Sequence, residues 1–110
     1  MAGDLEVTPE WVREHRDDVQ VIDVREDYEW EAGRIEGARH IDLDRVAAEA
    51  GSIDKARPVV FYCRVGSRSA MAATAFLGAG YDAHSMAGGL VAWAREGLPL
   101  EPADGQVAPH

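Results

Sequence analysis

The stretch "VVFYCRVGSRSAMAA", residues Val59–Ala73, decides the fold. An unbroken apolar run ends at Cys63, two arginines and a glycine follow, and an alanine-rich segment begins. Apolar runs without polar alternation suit a strand buried on both faces, as in a parallel sheet. Pro58 is tolerated at the first position of such a strand. From about Ser67 to Leu77 the pattern predicts a helix, with Ala72, Ala75, Phe76 and Ala79 on one side and Gly80 as its stop. The single cysteine therefore sits between a strand and a helix, among positive charges.

The neighbouring segments repeat the alternation. "VTPEWVREHR" opens with Thr8 as a helix N-cap and Pro9 at the first helical position, and predicts a helix to about Arg16. "VQVID" and the following valine, Val19 to Val24, form a second buried strand. "REDYEWEAGRIEGARHIDL" is polar and glycine-punctuated, a loop with one helical turn before Gly33. "HIDL" is a short strand candidate entering the helix "DRVAAEA", with Asp44 near its start and Gly51 at its end. "YDAHSM" is a further strand candidate, and "GLVAWAREG" a last helix stopped by Gly97. Strands alternating with helices define an α/β fold with a mainly parallel sheet. "LPLEPADGQVAPH" has the proline, glycine and polar content of a mobile tail.

The chain has 110 residues, the length of one compact domain, and its apolar content of 46% supports a hydrophobic core. The expected division is one domain over residues 1–100 and a flexible tail over 101–110. A net charge of -9 without a basic cluster makes nucleic acid and anionic membranes poor partners. No segment is long and apolar enough to cross a bilayer. "MAGDLEVTPE" carries Asp4 and Glu6 and no apolar core, so it does not read as a secretory signal. One cysteine makes no internal disulfide, which fits a reducing, cytoplasmic setting. Cys63 and the scattered His15, His40, His84 and His110 lack metal-ligand spacing, and no cofactor is implied.

In parallel α/β sheets, ligands bind at the carboxyl ends of strands, which is where Cys63 lies. The first amides of the following helix have no intrahelical partners, and with the helix dipole they form an anion cradle. Gly66 permits the tight backbone of such a loop. The same field, with Arg64 and Arg68, stabilises a thiolate, giving a nucleophile for an anionic substrate. Against this, a lone cysteine is more often a small buried hydrophobe. The strand-end position, the glycine and the two arginines favour chemistry.

With these residues in view, "CRVGSRS" resembles the active-site loop of the rhodanese superfamily of sulfurtransferases. "VIDVREDYEWEAGRIEGARHI" resembles the family's upstream signature, and "MAGGLVAWAREGLPL" its closing segment with a double glycine before a tryptophan-bearing helix. The resemblance spans Val7 to Leu100. It implies a five-stranded, mainly parallel sheet flanked by helices on both faces. It also implies a cysteine that takes sulfane sulfur from thiosulfate or a related anionic donor and passes it, as a persulfide, to cyanide or a thiol, including a protein thiol. By motif, Cys63 is the nucleophile, and the main chain of Arg64, Val65, Gly66, Ser67, Arg68 and Ser69 forms the cradle, with Arg64 and Arg68 as its positive rim. Arg25 matches a position that helps bind the donor in some relatives; the alternative is an ion pair with an acid such as Glu26 or Glu29. Asp23 reads as a structural acceptor at the sheet end. His40 reads as a partly buried structural residue, Gly88–Gly89 as a close-packing site, and Trp30 as a residue lining the cleft.

Two other activities share this kind of loop. Phosphatases and arsenate reductases on the same fold use a Cys-x5-Arg loop, one residue longer than the Cys-x4-Arg spacing from Cys63 to Arg68. A sulfur carrier that is loaded by a partner protein would use the same residues without efficient turnover.

Overall fold

The computed structural model describes residues 5–109, so Asp4 and His110 lie outside the described residues. The elements are β1 (Glu6–Val7), α1 (Pro9–Glu14), β2 (Gln20–Asp23), α2 (Asp27–Ala32), β3 (Arg39–His40), α3 (Leu43–Val46), β4 (Val59–Tyr62), α4 (Ser67–Gly78), β5 (Ala83–Met86) and α5 (Gly89–Arg95). The five strands form one sheet in the order β1-β5-β4-β2-β3. Every pairing within it is parallel.

Side-chain alternation along β4 builds the two faces. Val59, Phe61 and Cys63 join a core with Ile22, Val24 and Ala83 beneath Ala72, Ala73 and Phe76 of α4 and Val46 of α3. Val60 and Tyr62 point the other way, into a core with Val12 of α1 and Leu90 and Trp93 of α5. Helices thus cover both faces, and the period-two rule delivers the Cys63 side chain to the α4 side.

Local signals explain most element ends. The Thr8 hydroxyl accepts from the Trp11 amide at 3.0 Å, capping α1. The helix expected near Asp44 is instead capped by Asp42, whose side chain accepts from the Arg45 amide. It is four residues long, and Gly51 lies in a separate 3-10 turn, Ala50–Ser52. The strand β1 had no signature because two residues, Glu6 and Val7, are too few to show a period. It forms because β5 offers an edge: Ser85 N donates to Leu5 O and Ala87 N to Val7 O.

The segment expected as a mobile tail is docked. Arg34 and Glu101 exchange backbone hydrogen bonds at 3.0 and 2.7 Å, and Gln106 N donates to Ala32 O. Leu98, Leu100 and Val107 pack against the α1/α5 core. These three apolar anchors are half-buried, and with the backbone hydrogen bonds they hold a polar, proline-containing run against the domain.

Candidate active site

Cys63 is the first residue beyond β4, and the chain turns there into α4. Gly66 makes the turn possible: its φ is +111°, a region closed to side-chain-bearing residues without strain. The turn brings two amides onto the sulfur, with Gly66 N 3.1 Å and Ser69 N 3.4 Å from Sγ. Both amides lie at the open N-terminal end of α4, where the helix dipole is positive. Cys63 itself is 0% exposed, whereas Val65 on the rim is 51% exposed. The sulfur is thus held at the bottom of its loop, closed to solvent.

The loop is pinned from behind by α5. Leu90 N donates to Cys63 O at 2.8 Å and Val91 N to Arg64 O at 3.0 Å. Gly89 makes this contact possible, because a Cβ there would lie 2.5 Å from Cys63 O and from the Arg64 carbonyl. The double glycine is therefore a packing site, in agreement with the sequence reading. A buried hydroxyl pair closes the floor: Ser69 Oγ lies 3.5 Å from Cys63 Sγ and 2.7 Å from Ser85 Oγ of β5.

Arg68, expected with Arg64 as the positive rim, is bound to an acid. Arg68 donates from Nη1 and Nη2 to the two carboxylate oxygens of Glu29 at 2.8 and 3.0 Å. Glu29 is fully buried and also accepts from the Glu26 amide. Burial pushes the Glu29 carboxyl upward, but the Arg68 hydrogen bonds and the Glu26 amide outweigh it and hold the group below its ordinary value. The Glu29 hydrogen bonds hold Arg68 above its ordinary value.

Arg25 has an ion pair, but neither Glu26 nor Glu29 is its hydrogen-bonded acid. Its Nη2 lies 2.7 Å from Asp23 Oδ2, both side chains are 0% exposed, and Nη2 also donates to Gly33 O. Residues two apart at a strand end share a face, which sets Asp23 beside Arg25. Asp23 is the structural acceptor expected, also receiving the Arg25 amide at 2.9 Å. Burial lowers the Arg25 affinity for its proton, and Asp23 more than restores it. Beside them, burial and Asp23 push the Tyr62 phenol well above its ordinary value, so it stays neutral while accepting from the Ile35 amide. Arg25 Nη1 and Arg64 Nε are buried without a hydrogen-bond partner among the described residues.

His40 is structural, with Nε2 2.7 Å from Arg25 O. Trp30 stacks on His40 at 4.9 Å and carries the Arg34 guanidinium over its ring, so it is a packing group and does not line the cleft beside Arg68. That cleft, of about 580 Å³, is lined by Val24, Glu26, Asp27, Tyr28, Asp42, Leu43, Asp44 and Arg68.

Sequence reasoning missed two site residues, Glu29 as the partner of Arg68 and Ser85 beneath the sulfur. Glu29 stands three residues after Glu26 in a helix-capping pattern, which signals a helix start but not a partner 39 residues away. Ser85 carried one weak signal, a hydroxyl on a strand face otherwise apolar at Ala83.

The rhodanese-like domain profile matches residues 8–96. A thiosulfate sulfurtransferase GlpE of Pseudomonas aeruginosa is 35% identical over 103 residues, covering 92% of this chain and 93% of the relative. A sulfurtransferase of Allochromatium vinosum is 36% identical over 90 residues, covering 81% of this chain and 84% of the relative. The crystal structure of a rhodanese-related protein from Thermoplasma volcanium superposes with a TM-score of 0.84 at 24% identity, covering 88% of this chain and 97% of the other.

Proposed function

Given that the chain belongs to the rhodanese-like family, we propose that it is a sulfurtransferase in which Cys63 carries sulfane sulfur as a persulfide. One observation carries the reading: the only thiol of the chain lies at a parallel strand end and receives the Gly66 and Ser69 amides at the start of α4. Such donors suit the anionic outer sulfur that a persulfide would carry.

The donor is thiosulfate or a related small anion. The Cys63 thiolate attacks its outer sulfur; a new S–S bond forms as the S–S bond of thiosulfate breaks, and its electron pair leaves on sulfite. A thiophile then attacks the outer sulfur of the persulfide, and the electron pair of that bond returns to Cys63. Cyanide leaves as thiocyanate, and a thiol leaves as its own persulfide. The cradle is supplied by the main chain of Arg64, Val65, Gly66, Ser67, Arg68 and Ser69. Arg64 follows Cys63 in the chain, and its buried Nε lacks a partner among the described residues. Arg68 and Arg25, matched by Glu29 and Asp23, hold the loop and the sheet end in place. A lone cysteine suits a reducing, cytoplasmic setting.

A persulfide relay fed by a partner protein is the second reading. The observation behind it is the cleft at Arg68, where Glu26, Asp27, Asp42 and Asp44 oppose a free dianion. Steady-state thiosulfate:cyanide turnover separates the two. Multiple turnovers that vanish in Cys63→Ser support the enzyme, and a single loading without turnover supports the relay. Turnover retained in Cys63→Ser contradicts both.

A further inference from the structure

We infer that Ser85 is a positioning residue for the Cys63 sulfur, acting through the hydroxyl of Ser69. The inference deepens the reading of Cys63 as the sulfur-carrying thiolate and rests on it. Ser85 is 0% exposed and stands on the sheet face that carries Ala83, paired in register with Phe61. A hydroxyl buried on such a face is costly unless it is hydrogen-bonded. Its partner is Ser69 Oγ, at 2.7 Å.

The hydrogens at Ser69 can be counted. A serine hydroxyl has one hydrogen and two lone pairs. Gly66 O, 3.2 Å from Ser69 Oγ, can only accept, and Cys63 Sγ lies 3.5 Å from the same oxygen. When Cys63 is a thiol, Ser69 donates to Gly66 O and its lone pairs receive Ser85 and the S–H. When Cys63 is a thiolate, the hydrogen of Ser69 turns from Gly66 O to Sγ, adding a third donor to the Gly66 and Ser69 amides. In both states Ser85 donates to Ser69. That bond fixes the Ser69 oxygen and polarises its O–H towards the sulfur, as linked hydroxyls do. No covalent step is involved; the proton of Ser85 stays on Ser85.

The test compares Ser85→Ala, Ser85→Thr, Ser69→Ala and the double alanine variant with the native chain. Thiolate content at neutral pH is read from ultraviolet thiolate absorbance, with Cys63→Ser as the blank, which needs no substrate and no access to the buried sulfur. The rate of persulfide formation with thiosulfate is read by intact mass. Ser85→Ala should lower the loading rate roughly three- to tenfold and reduce thiolate absorbance. Ser85→Thr should restore both, and the double variant should fall no further than Ser69→Ala alone. The inference is overturned if Ser85→Ala keeps the native thiolate absorbance, or if the two single losses multiply. Should no variant, the native chain included, load sulfur, the sulfur-transfer reading fails, and the absorbance arm still decides the role of Ser85.

Discussion

Glu29 and Arg68 meet in a two-pronged ion pair that ties α2 to the first turn of α4, the helix that follows Cys63, with N–O distances of 2.8 and 3.0 Å. Its members differ in exposure, 0% for Glu29 and 17% for Arg68. Removing Arg68 therefore strands a buried carboxylate. Arg68→Ala should cost about 3 kcal/mol, the lower end of what breaking a buried pair costs because Arg68 is partly open to solvent. The double variant Glu29→Gln/Arg68→Ala should be more stable than Arg68→Ala alone. Urea unfolding midpoints measure both, and an Arg68→Ala variant of native stability would show the pair to be ornamental.

The same pair makes stability depend on acid. The Glu29 carboxyl is held below its ordinary value in the folded chain, so its contribution is fully present above the ordinary carboxylate range. It is lost as pH falls through the lower, folded value. Between about pH 7 and about pH 3, the native chain should lose more stability than Glu29→Gln does. Parallel unfolding curves at each pH provide the check; equal losses would mean that Glu29 is not held by Arg68.

Gly89 and Gly51 form a matched comparison. A Cβ at Gly89 would meet Cys63 O and the Arg64 carbonyl at 2.5 Å, with φ at +61°, whereas one at Gly51 meets nothing within 4 Å. Gly89→Ala should cost about 2 kcal/mol or more and displace the sulfur loop, while Gly51→Ala should stay within about 0.5 kcal/mol of the native chain. Thermal unfolding and the amide resonances of Arg64–Ser69 would report the contrast. Equal behaviour of the two variants would remove α5 as the support of the loop.

Loop length should select the chemistry. The Gly66 and Ser69 amides close around one sulfur atom. One glycine inserted beside Gly66 would move them outward, and donors misplaced by about 1 Å cost on the order of a hundredfold in rate. The native chain should not hydrolyse aryl phosphates at a measurable rate. Native-speed sulfur transfer by the inserted variant would show that ring size is immaterial.

The layered fold and the loop were legible in the sequence because each rests on a local pattern. The run Val59–Cys63 has no polar break and Val19–Val24 is interrupted only at Gln20 and Asp23, Thr8 and Pro9 announce α1, and Gly66 marks the turn. What escaped depends on distance in the chain. Glu29 meets Arg68, Ser85 meets Ser69, and Leu98, Leu100 and Val107 hold the terminal segment, each through contacts that only the assembled sheet creates. Arg25 shows the intermediate case: its need for an acid was legible, but Asp23, two residues away on the same face of the strand end, was chosen over the two glutamates that follow.

Whether Cys63 accepts a sulfur atom is decided by intact mass after incubation with thiosulfate. The native chain should gain the mass of one sulfur atom, release it on adding cyanide, and show neither change as Cys63→Ser. No gain by the native chain, or the same gain by Cys63→Ser, would contradict the account.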